Sequence, residues 1–127
     1  MTSIGNDIVS LKTIDLPRTR SFRFYSKLLS VPEQQLYHAR FANIPFERFV
    51  WLLWSVKESA YKCLQRQKPK LLFHPIKIEI AWLVAPSILP QSFEEELTHT
   101  GFTDAECFCS EARFESQLCY ARSVIYG

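Results

Sequence analysis

Apolar residues first gather at Ile4, Ile8, Val9 and Leu11, β-compatible positions ahead of a break at Pro17, and they predict a strand over residues 3–11. Asp7 falls inside that strand or at its end. The stretch 18–30, "RTRSFRFYSKLLS", mixes basic and aromatic residues and suits a short helix or an irregular cover. Ser30, with Pro32 early and Glu33 three positions on, has the form of a capped helix start. The longest periodic element runs from Pro45 to Gln67, with Asn43 or Ile44 at its beginning and Pro69 past its end. The period then changes. Residues 76–84, "IKIEIAWLV", predict a strand, 85–101 a loop with an acidic run, and 105–113 and 116–126 two strands joined through Phe114 and Glu115. No repeat, linker or low-complexity tract divides the chain. The expectation is one α+β domain over residues 1–127, with a long central helix packed on an antiparallel sheet.

On a wheel of about 100° per residue, Lys62 falls about 40° from Glu58, while Phe49, Val56 and Ala60 fall near the opposite side. Trp51 and Trp54 share the Glu58 face, and "FVWLLW" is apolar all round, as in a helix packed on several sides. Spacing alone equally suits a surface ion pair between Glu58 and Lys62. A carboxylate emerging from such a helix, however, needs a cation, a donor network or a metal beside it. Asp7 raises the same question from a strand, with a turn or a helix cap as its plain alternative. If that strand packs beside the helix, two carboxylates converge near an ammonium. Magnesium chemistry on a diphosphate uses such a set, because Mg²⁺ takes one or two carboxylates and completes its shell with water and phosphate oxygens.

Composition narrows the field. With 47% apolar residues and 14% aromatics, 127 residues suffice for a real core. Fifteen basic against thirteen acidic residues leave a formal charge of +2, which argues against a nucleic-acid or membrane partner. Four Cys without a C-x-x-C pairing, and His38, His74 and His99 scattered along the chain, do not form a zinc set and read as buried free thiols and isolated imidazoles. The opening "MTSIGNDIVS" lacks a signal-peptide layout and no apolar run reaches the roughly 20 residues of a membrane span, so a cytoplasmic, reduced protein is expected.

Taken together, "IGNDIVSL" and "WSVKESAYK" resemble the paired signatures of the 4'-phosphopantetheinyl transferase superfamily, of the holo-acyl-carrier-protein synthase kind. That family has G-x-D before apolar residues and, about 50 residues later, an aromatic residue and x-x-K-E-[AS]-x-x-K on a helix. Gly5, Asp7, Trp54, Lys57, Glu58, Ser59 and Lys62 occupy those places, and the resemblance covers residues 3–66, then more loosely "FHPIKIEI". It implies Mg²⁺-dependent transfer of the phosphopantetheine arm from coenzyme A to a serine of an acyl or peptidyl carrier protein, with release of 3',5'-ADP. By position it makes Asp7 and Glu58 metal ligands, with either Glu58 or a metal-bound water as the base. It sets Lys62 at the phosphates and the leaving group, and Lys57 as a second, weaker phosphate contact.

Two departures accompany the resemblance. Val9 stands where some members carry a second acidic residue, which leaves that ligand position to water as in the small synthases. The family's S-x-S-H element has no counterpart, since "THTGF" at 98–102 offers only His99 and Thr100. A chain that stops before that element and a lapsed module that binds a carrier protein or nucleotide without reaction both stay open. Arg18, Arg20, Arg23 and Lys27, interleaved with Phe22 and Phe24, suit an acidic carrier protein or the nucleotide, and also a solvated basic face. Relatives of this size act as trimers, so self-association is expected.

Overall fold

The computed structural model describes residues 2–4, 14–84 and 106–125. Most of the first predicted strand, Asp7 with it, and the acidic loop expected over 85–101 lie outside the described residues. Strand β1 is Thr2–Ile4. Asp15 then caps α1 (Leu16–Thr19), its carboxylate accepting the Arg18 N–H at 3.0 Å, with Pro17 in the first turn where no N–H is required. A second short helix, α2 (Phe22–Tyr25), follows, so the basic and aromatic stretch is two helical turns. The expected cap at Ser30 is present. Ser30 Oγ accepts the Glu33 N–H at 3.3 Å and the Glu33 carboxylate accepts the Ser30 N–H at 2.8 Å, opening α3 (Val31–Leu36), which widens into a π-helical turn over Tyr37–Phe41.

Helix α4 (Phe46–Gln67) holds neither Gly nor Pro, and it starts directly after Pro45 without a side-chain cap. The helix starts past Asn43 and Ile44, and the Ile44 carbonyl accepts the Tyr37 hydroxyl at 2.7 Å. After α4, Pro75–Lys77 form a 3₁₀ turn, with the Lys77 N–H on the His74 carbonyl at 3.0 Å, so Ile76 and Ile78 do not belong to the strand expected there. Strand β2 is Glu79–Val84, with a register shift between Ile80 and Trp82. Strands β3 (Glu106–Phe114) and β4 (Gln117–Ile125) form a hairpin whose turn holds Glu115 at φ 54°, the left-handed conformation that two-residue hairpin turns demand.

The architecture is α+β. Strands β2, β3 and β4 pair antiparallel, and β1 adds in parallel beside β4, giving the order β1-β4-β3-β2. The parallel edge strand is a departure from the purely antiparallel sheet expected from the pattern. Its cause is chain direction, since β1 enters beside β4 with Thr2 against Leu118 and Ile4 against Tyr120.

Helix α4 organises two apolar clusters. Its first half, with Phe49, Val50, Leu52 and Leu53, packs with Leu28, Leu29, Phe41, Leu83 and Phe108. Its second half, with Val56, Ala60, Cys63 and Leu64, lies on the sheet against Ala112, Cys119 and Ala121. Those small sheet residues let the helix approach closely. Polar ties then hold the helix end, because Lys68 pairs with Glu115 at 3.0 Å and Gln67 accepts from Gln117 at 3.0 Å.

Cys63 and Cys119 are reduced and buried in the second cluster, and burial pushes both thiols above the ordinary cysteine value. They stay protonated at neutral pH and out of reach of reagent. Both should resist iodoacetamide in the native protein at pH 8 and react fully once the chain is unfolded, as read by intact-mass and peptide mapping.

Candidate functional site

Helix α4 sorts its side chains by azimuth as the wheel predicts. Phe49, Val56 and Ala60 are buried, Trp51, Trp54 and Glu58 are half-buried, and Lys62 is exposed. Glu58 and Lys62 therefore stand one turn apart on one accessible side of the helix. The N-terminal part of that side is aromatic. Trp51 packs on Trp54 at 5.6 Å between centroids, Trp54 on Phe73 at 5.2 Å, and Phe73 on Tyr61 at 5.1 Å. Trp51 is further held by a 3.1 Å hydrogen bond from Nε1 to Thr19 Oγ1.

One turn before Glu58, beside Trp54, a cleft of about 490 Å³ opens between α4 and the α1–α2 stretch. Phe24, Leu28, Trp54 and Pro75 supply apolar wall, and Arg18, Arg23 and Lys27 supply positive charge. The Arg18 guanidinium lies over the Phe24 ring at 5.2 Å, so the charge is held against an aromatic surface instead of swinging free. Arg20, the remaining member of the basic cluster, is drawn away. It binds Glu47 on α4 at 3.0 Å and holds that carboxyl below the usual carboxylate range, chiefly through the hydrogen bond.

Lys57 does not share the Glu58 face. It is 0% exposed, and its Nζ donates to Glu33 Oε1 at 2.7 Å and to the Leu28 carbonyl at 2.6 Å. Glu33, 3% exposed, accepts the Ser30 N–H with the same oxygen and the Ile80 N–H of β2 with the other, at 3.0 Å. Burial lowers the Lys57 pKa while the Glu33 charge opposes that shift. With its ammonium enclosed in this way, Lys57 faces no solvent from which a phosphate would come, unlike the phosphate contact the resemblance assigned it. Sequence reasoning recognised Glu33 only as a helix cap. Its second role was invisible because Lys57 and Ile80 are far away along the chain.

Of the other expected site residues, Asp7 lies outside the described residues. Among the described residues no cluster of three or more His, Cys, Asp or Glu is placed to hold a metal, and no helix is long and apolar enough to cross a membrane. Glu58 contributes one accessible carboxylate oxygen donor of the hard kind that Mg²⁺ prefers.

The chain belongs to the 4'-phosphopantetheinyl transferase superfamily, whose family description matches residues 3–100. The superfamily's general chemistry, transfer of 4'-phosphopantetheine, comes with that membership. No curated protein and no solved structure matches the chain.

Removing one partner of the buried pair leaves the other charge enclosed and unpaired. Lys57→Met should therefore cost about 3–5 kcal/mol of stability by denaturant unfolding, whereas Lys62→Met should cost less than about 1 kcal/mol.

Proposed function

We propose that the protein is a holo-acyl-carrier-protein synthase-type transferase that moves the 4'-phosphopantetheine arm of coenzyme A onto a serine of an acyl or peptidyl carrier protein in the cytoplasm, with Mg²⁺ bound by Asp7 and Glu58. The observation that carries this reading is the division of charge on α4. Lys57, the immediate neighbour of Glu58, is consumed by Glu33, so it does not neutralise the Glu58 carboxylate. That carboxylate remains available on the accessible side, next to Lys62.

The reading requires Asp7 and Glu58 to meet, and Asp7 follows the last residue of β1 by three positions. The tie between Gln67 and Gln117 sets the end of α4 level with the start of β4, and β1 runs parallel to β4 with Thr2 beside Leu118. Helix α4 packs against β1, the element that Asp7 follows.

In the reaction the carrier serine Oγ attacks the phosphorus that bears the pantetheine arm, and the P–O bond to 3',5'-ADP breaks. Bound Mg²⁺ would supply charge neutralisation on the diphosphate. Lys62 offsets the charge growing on the departing phosphate, and the serine proton leaves to Glu58 directly or through water. The cleft beside Trp54 receives the carrier. Its apolar walls take an apolar side chain of an acidic helix, while Arg18, Arg23 and Lys27 meet the surrounding carboxylates. Such a complex would form on a homotrimer, the state expected for the small synthases.

Incubation with coenzyme A, Mg²⁺ and an apo carrier protein should add one phosphopantetheine to the carrier serine by mass spectrometry. Glu58→Gln should lower kcat about 100-fold or more. Arg23→Glu with Lys27→Glu should instead raise KM for the carrier about tenfold and leave kcat near the wild-type value. Binding of coenzyme A and carrier with no transfer under any condition would favour the lapsed module, whose support is the missing S-x-S-H element.

A further inference from the structure

The Lys57–Glu33 pair is enclosed, and both of its charged groups are held by further hydrogen bonds. A buried ion pair can usually be replaced by apolar side chains with little loss of stability, so its presence points to a geometric demand. On the sheet side of α4 the apolar contact is made partly of small residues. Val56 and Leu64 pack there with Ile78, while Ala60 and Cys63 meet Ala112, Cys119 and Ala121, and small side chains key a helix against rolling less tightly than large ones do.

The pair is directional where that contact is not. Its ammonium is held by a carboxylate and a carbonyl, and the carboxylate is held in turn by N–H groups from Ser30 and from Ile80. Four segments are fixed to one another: the 28–30 turn, α3, α4 and β2. Glu58 follows Lys57 on a stiff helix, so fixing the azimuth of one fixes the other about 100° round the axis. Leu28, whose carbonyl binds Lys57, also lines the basic cleft. The network therefore joins the cleft to the helix face that carries Glu58.

We propose that Lys57, through Glu33, is a positioning residue that sets the rotation of α4 and with it the direction of the Glu58 carboxylate relative to the cleft. This rests on the reading of Glu58 as a metal ligand. Supporting partners of metal ligands typically change metal affinity or activity by about 10- to 100-fold when removed.

The test replaces both charges at once, Lys57→Met with Glu33→Gln, which avoids a lone buried charge and keeps an acceptor for the Ile80 N–H. Circular dichroism and a cooperative melt establish that the variant is folded. Mn²⁺ binding is read by water-proton relaxation, and kcat and KM for the carrier are measured as Mg²⁺ is varied. The expected result is a folded variant with Mn²⁺ affinity and kcat each lowered about tenfold or more and KM for the carrier within about twofold of wild type. A folded variant with unchanged Mn²⁺ affinity and kcat overturns the positioning role, and so does a variant that cannot fold, since the pair would then be structural. Glu58→Gln separates the two levels. If it binds Mn²⁺ as wild type does, the metal-ligand reading itself fails and takes the positioning role with it.

Discussion

The arrangement depends on burying one ammonium. A lysine with no solvent contact is tolerated only where its donors are met, and Lys57 meets a carboxylate and a carbonyl that belong to chain segments far from α4 in sequence. Glu33 is the more heavily used partner. Its two oxygens close the N-terminus of α3, hold Lys57 and take up the Ile80 N–H, so a single carboxylate links helix capping to strand placement. Every buried polar side-chain atom among the described residues finds a partner, as a network of this kind must if it is to be held at all.

Around that anchor the helix meets two different surfaces. Toward its start, large apolar residues such as Phe49 and Leu53 interlock with Phe41 and Phe108, a contact defined by shape. Toward its end, the small residues of β3 and β4 bring the backbones together and leave room for adjustment. The clamp at Lys57 falls between these two regions, immediately before the residue whose direction matters to the proposed chemistry.

Much of this was legible in the sequence, for reasons that can be named. The long helix declared itself by period and by the absence of Gly and Pro, and its wheel separated Val56 and Ala60 from Glu58 and Lys62 as the structure does. The Ser30 cap was local and therefore readable. Less local features were not. Ile76 and Ile78 alternate like a strand, yet Pro75 starts a 3₁₀ turn there, because the ring's fixed φ outweighs the apolar pattern. The parallel pairing of β1 and the union of Glu33 with Lys57 are long-range events, and neither leaves a spacing signal in the chain. The paired signatures disclosed the family, but a linear motif does not say which of its lysines faces inward.

That last point bears on how the motif itself should be understood. Lys57, Glu58 and Lys62 sit within about one and a half helical turns, yet they occupy three environments: enclosed, half-buried and exposed. The two lysines are about 140° apart on the helix, too far round for both to serve one ligand on one side. The same residue type is thus given opposite tasks by azimuth alone. The inward lysine satisfies a carboxylate the fold has already buried, about 100° round the helix from Glu58. The outward lysine is exposed on the side of the helix that carries Glu58. Azimuth thus leaves the Glu58 carboxylate half-buried with a lysine one turn away on the same side, the arrangement the proposed ligand role calls for.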